Sequence, residues 1–95
     1  MKETLMEQKL TNAAKHIGGI ARKIVRPGFE GMPDRMVLLP EGRMGFVEVE
    51  QPGKVPRPLQ AARHRMLRRL GFKVCVLDDA EQIKTILTEI GGDAR

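Results

Sequence analysis

Ninety-five residues carrying a net charge of +5 and an isoelectric point near 9.9 bound one compact unit and suggest a polyanionic partner. Hydrophobic residues make up 41% and charged residues 31%, the balance of an ordinary globular protein, and no low-complexity tract interrupts it. Three Phe without Trp or Tyr argue against a base-stacking platform for single strands, the lone Cys75 excludes an intrachain disulfide and a zinc site, and no apolar stretch approaches a membrane span. Residues 1–95 are therefore expected as a single domain. The N-terminus lacks the apolar segment of a signal peptide, so a soluble, cytoplasmic protein is expected.

Residues 3–17 form an amphipathic pattern, with Met6, Leu10, Ala13 and Ile17 at helical steps and Gly18-Gly19 as its stop. Ile20 to Val25 is short and β-compatible and is closed by Arg26-Pro27-Gly28. A loop to Pro33 precedes a strand over Arg35–Leu39. The turn Pro40-Glu41-Gly42-Arg43 and a second strand over Met44–Glu50 complete a β-hairpin. Gln51–Pro58 is a Pro-rich basic loop. Leu59–Leu70 is a helix with Leu59, Ala62, Met66 and Leu70 on one face, and Phe72–Leu77 is a strand holding Cys75 in an apolar run. Asp78 or Asp79 caps a last helix that reaches about Ile90 before a Gly-Gly tail. The order α-β-β-β-α-β-α suits an α/β fold, a mixed β-sheet flanked by helices, with Met44–Glu50 and Phe72–Leu77 parallel across the helical crossover.

Two features carry chemistry. Alternation puts Phe46, Glu48 and Glu50 on one face of their strand and Val47 and Val49 on the other. Like charges at that spacing repel, and a divalent cation would offset the cost. The hairpin could bring Asp34, just after Pro33, close to Glu48, giving the oxygen ligands that Mg²⁺ or Mn²⁺ requires. Singly, Asp34 reads as a turn residue and the two Glu as solvated side chains. The second feature decides between these readings: from Lys54 to Leu77 there are seven Lys/Arg (Lys54, Arg57, Arg63, Arg65, Arg68, Arg69, Lys73) and no acid. A merely solvated helix face would mix signs at i,i+4 spacing. Together they point to a metal-dependent phosphodiesterase on nucleic acid.

The blocks Gly31-Met32-Pro33-Asp34-Arg35, Phe46-Val47-Glu48-Val49-Glu50-Gln51-Pro52-Gly53-Lys54 and Pro58-Leu59-Gln60 resemble the virus-type replication-repair nuclease domain (VRR-NUC), a branch of the PD-(D/E)XK superfamily. The match runs from the Glu7 helix through the Phe72–Leu77 strand and looks like the stand-alone phage and prophage members. The resemblance implies a restriction-endonuclease-like core and a homodimer acting on branched double-stranded DNA such as Holliday junctions, in a bacterial or phage-infected cell. It further implies Asp34 and Glu48 as the main metal carboxylates, the Val49 carbonyl as a further ligand to Mg²⁺ or Mn²⁺, and Glu7 as a contributor from the first helix. Gln60 matches the family glutamine near the active site, and Lys23 matches a basic position. Lys23, Lys54, Arg57, Arg63, His64 and Arg68 are the candidate DNA contacts. His16, near a helix end, is no strong candidate for catalysis, and neither is His64.

The chain departs from the family at one position. The catalytic Lys two residues after Glu48 is here Glu50. The exchange reverses the charge where negative charge accumulates in the transition state, so cleavage is expected to be strongly impaired while metal binding could persist. Three explanations are open: an engineered inactivating change, which the otherwise intact site favours, a natural loss, or replacement of the Lys by Lys54 or Lys23. The alternatives to a nuclease are a non-catalytic DNA-binding module on the same fold, and a small domain that sets its basic face against an acidic protein.

Overall fold

The computed structural model describes residues 3–25 and 28–91. The expected turn residues Arg26 and Pro27, and Gly92 of the tail, lie outside them. Helix α1 (Glu3–His16) leads into strand β1 (Ile20–Lys23), and a loop carries the chain to β2 (Arg35–Leu39). A single 3-10 turn, Pro40–Gly42, folds β2 onto β3 (Arg43–Val49). Helix α2 (Pro58–Arg69) crosses to β4 (Lys73–Leu77), and a 3-10 turn, Ala80–Gln82, opens α3 (Ile83–Gly91). Sheet order is β1-β2-β3-β4, with β1/β2 and β2/β3 antiparallel and β3/β4 parallel. This is the mixed sheet flanked by helices that the sequence order predicts.

The two sheet faces differ in chemistry. Val47 and Val49 of β3, Val37 and Leu39 of β2, and Cys75 and Leu77 of β4 face α1 and α3. There they meet Met6, Leu10 and Ala14 of the first helix and Ile83, Ile86, Leu87 and Ile90 of the last. Full burial of each large aliphatic side chain contributes about 1.5–3 kcal/mol, so this layer supplies most of the hydrophobic drive. Gly45 lets the layers close: a Cβ there would lie 2.8 Å from Ile90 Cγ1. The opposite face holds a smaller apolar cluster under α2, made of Phe46, Leu67 and Val74 with Met32, Met36, Met44 and Met66 against it. Phe72 meets Phe46 edge-on at 5.7 Å.

Both predicted helix faces need correction. In α1 the buried stripe is Met6, Leu10 and Ala14, while Ile17 is 47% exposed. Ile17 lies beyond the helix end, in the turn closed by Gly18 N–H to Lys15 O and Gly19 N–H to Ala14 O. In α2 the inward residues are Gln60, His64, Leu67 and, of the expected stripe, Met66, while Leu59 and Leu70 are exposed. The apolar pattern misleads because the sheet beneath the first half of α2 is not apolar. It presents Glu48, and polar side chains turn inward to meet it. Asp79 caps the last helical segment by accepting from Glu81 N–H, as expected of that position.

Candidate active site

Asp34 and Glu48 come together at the open end of the hairpin, where β2 begins and β3 ends. Asp34 immediately precedes β2, and its Oδ1 accepts the Val49 N–H at 3.1 Å. In an extended strand a residue's N–H and C=O point to the same edge, so the Val49 carbonyl is directed toward the Asp34 side. Glu50 follows the end of β3 with its N–H donated to Leu77 O. Asp34, Glu48, Val49, Glu50, Gln51, Lys54, Arg57 and Gln60 line one open cleft of about 490 Å³.

Glu48 is not the solvated sheet residue of its bland reading: it is 3% exposed. A buried carboxylate needs donors, and α2 supplies two. Gln60 Nε2 donates to Glu48 Oε2 at 3.3 Å, and His64 Nε2 lies 3.1 Å from Glu48 Oε1. That distance would suit an ion pair. Burial, however, pushes the imidazole pKa below its usual value, and the nearby Arg68 cation lowers it further. We read the contact as a neutral imidazole donating its Nε2–H to the carboxylate. Gln60 serves twice, since its Oε1 also accepts the Arg57 N–H at 2.8 Å and closes the start of α2. Gln60 is thus both a first-turn residue of α2 and a direct contact of Glu48.

The loop that delivers Asp34 is clipped to the same helix. Arg63 Nε donates to Glu30 O at 2.9 Å, and its guanidinium stacks 4.1 Å from the Phe29 ring centre. Gly31, at φ +89°, passes so close to α2 that a Cβ would lie 2.8 Å from Leu59 Cγ and 3.1 Å from Leu59 O. Pro33 is buried, which fixes the approach to Asp34.

Not every expected residue joins the cleft. Glu7 lies on the opposite layer, paired with Arg35 at 3.0 Å and lining a separate hollow with Thr4, Gln8, Thr11 and Asn12. The reason is strand alternation, which turns Arg35 toward α1 and Asp34 toward α2. Lys23 ends the edge strand in register with Arg35 and does not line the cleft. Among the expected DNA contacts, His64 is 3% exposed and so is not part of the basic surface. Arg63 is engaged by the loop, and Arg68 Nη2 donates to Val74 O at 2.7 Å. Lys54 and Arg57 are exposed at the cleft's rim. The pairing of His64 with Glu48 escapes a sequence reading that follows apolar residues. The i, i+4, i+7 series Gln60, His64, Leu67 is the signal that marks it.

Among the described residues, no group of three or more His, Cys, Asp or Glu gathers closely enough to hold a metal ion by itself, and no helix is long and apolar enough to cross a membrane. No family model matches the sequence. A phage protein from Acyrthosiphon pisum secondary endosymbiont phage 1, named "Putative nuclease p44", is 42% identical over 90 residues, covering 95% of this chain and 96% of its own length. A solved structure described as a VRR_NUC domain superposes with a TM-score of 0.84 at 30% identity, covering 90% of this chain and 92% of that one. Sequence and backbone agree over nearly the whole length, and the chain belongs to the VRR-NUC nuclease family.

Proposed function

We propose that the protein is a metal-dependent, structure-selective DNA endonuclease by descent, acting on branched double-stranded DNA such as Holliday junctions, and that Glu50 impairs cleavage by this chain. The observation that carries the reading is the convergence of Asp34, Glu48, Val49 and Gln60 on one cleft rimmed by Lys54 and Arg57. The donor set is entirely oxygen. Two carboxylates and a carbonyl are too few for an all-protein cage, but they suit Mg²⁺ or Mn²⁺, which keep several waters and bind through one or two carboxylates. Asp34, Glu48 and the Val49 carbonyl would hold such an ion. When bound, it supplies Lewis-acid polarisation of the phosphate and a more acidic water. Glu7 would have to leave Arg35 to contribute.

The chain's own residues then do the rest. Asp34, anchored by the Val49 N–H, and Glu48, anchored by α2, hold fixed negative charge at the cleft. Lys54 and Arg57 attract the DNA backbone. Glu50 puts a carboxylate where the family places a cation, so it opposes the developing charge instead of balancing it. Of the two lysines that could replace the missing one, only Lys54 lines the cleft.

Cleavage of a four-way junction with Mn²⁺ tests this directly. The Glu50→Lys variant should cut at least about a hundredfold faster than the unaltered chain, the usual weight of one well-placed charge stabiliser. Equal rates in both would overturn the impairment. A second reading, a non-catalytic DNA-binding module, is favoured by Glu50 itself. It requires salt-sensitive junction binding with no metal-dependent cutting even after Glu50→Lys. We further place the protein as a single-domain homodimer, acting in the cytoplasm of a bacterial or phage-infected cell. Two symmetric sites suit two strands of a symmetric junction, and sedimentation at micromolar concentration should return twice the 10.6 kDa chain mass.

A further inference from the structure

We infer that His64 is a positioning residue for the metal site: together with the Gln60 amide one turn earlier, its imidazole N–H fixes the Glu48 carboxylate in the orientation that receives a divalent cation. This rests on the metal-site reading above. Three observations carry it. Each Glu48 oxygen has its own donor from α2, His64 Nε2 at 3.1 Å on Oε1 and Gln60 Nε2 at 3.3 Å on Oε2. Two contacts on two different oxygens fix the rotation of the carboxylate plane, which one contact would leave free. The donors sit at i and i+4 of one helix, whose start is itself tied by Arg57 N–H to Gln60 Oε1. Glu48 and His64 are both 3% exposed, so water has little access to the contact between them.

Glu48 would otherwise have to lose its side-chain rotamer freedom when it bound a cation. With the helix holding it, that ordering is complete beforehand. A carboxylate offers about four acceptor sites, and these two donors take two of them. An imidazole that orients a ligand from outside the coordination sphere is worth about 10–100-fold in metal affinity.

A merely structural His64 would affect folding and leave metal affinity in the folded protein unchanged. The test therefore measures Mn²⁺ binding by calorimetry at a temperature where circular dichroism shows each variant folded. His64→Gln keeps a donor at similar reach, and His64→Met keeps the length without one. Binding should weaken about 10–100-fold in His64→Met and stay within about threefold in His64→Gln. The unaltered chain provides a second readout: the His64 Nε2–H resonance should shift saturably with Mg²⁺, with the midpoint of a calorimetric titration with the same ion. Equal Mn²⁺ affinity in His64→Met, or an Nε2–H resonance that stays still while metal binds, overturns the inference and leaves the metal site standing. No Mn²⁺ binding by the unaltered chain overturns the metal site itself, and the inference with it.

Discussion

Burying Glu48 costs desolvation, which the two donors from α2 offset, whereas protonating His64 would add a buried charge beside Arg68. In the folded chain the imidazole pKa lies below its unfolded value near 6.5. Below that pH the unfolded state therefore binds more protons than the native one, and stability must rise with pH through this window. The melting temperature of the metal-free chain should fall as pH drops below about 6.5, less steeply in His64→Gln, and be insensitive to this group above it. Equal slopes in both proteins would remove His64 from that account. Cys75 is a second residue whose chemistry is set by its surroundings. Burial, and after it the nearby Glu89 carboxylate, push the thiol up to about 11. Roughly one molecule in a thousand is then thiolate at pH 8, so alkylation should be far slower than for a free cysteine until the chain is unfolded. At Gly31, alanine meets both a positive φ and the Leu59 backbone. Gly31→Ala should cost about 1–3 kcal/mol, read as a lower urea midpoint at unchanged slope.

Among the elements, α2 departs most from its sequence reading. The strands were legible because period-2 alternation and the Pro/Gly turn speak for themselves, and Val47 and Val49 face the helical layer as alternation requires. In α2 the apolar pattern was right for Met66 but not for its two ends, because Leu59 and Leu70 are exposed while Gln60 and His64 turn in toward a charge on another element. Nothing in the twelve residues of this helix reveals what the sheet beneath it carries. The cations of α2 and of the loop before it have two duties. Arg63 and Arg68 hold the Asp34 loop and β4, whereas Lys54 and Arg57, in the loop leading into α2, are exposed at the cleft rim. Replacing both Lys54 and Arg57 by Ala should weaken junction binding and reduce its salt slope by roughly two phosphate contacts. Arg63→Ala should lower stability by about 1 kcal/mol with a smaller change in that slope. The reverse pattern would reassign the DNA-facing surface.

For the whole molecule, the Pro33-Asp34 and Glu48-Val49 blocks did meet in space, since a tight hairpin leaves adjacent strand ends no other place to go. Glu7 did not join them, because helix α1 packs on the face that strand alternation gives to Arg35. Helix periodicity could not show that, since it says which side of α1 is apolar and nothing of which sheet face it covers. The single amide of Gln60 bridges the two halves of this arrangement, its oxygen on the Arg57 N–H and its nitrogen on Glu48. The Arg57 amide hydrogen is thereby a built-in gauge of the cleft. Whatever steadies Glu48 slows the opening of the helix start, so exchange of that one hydrogen with deuterium should slow when the site is filled, even in a chain that cuts nothing.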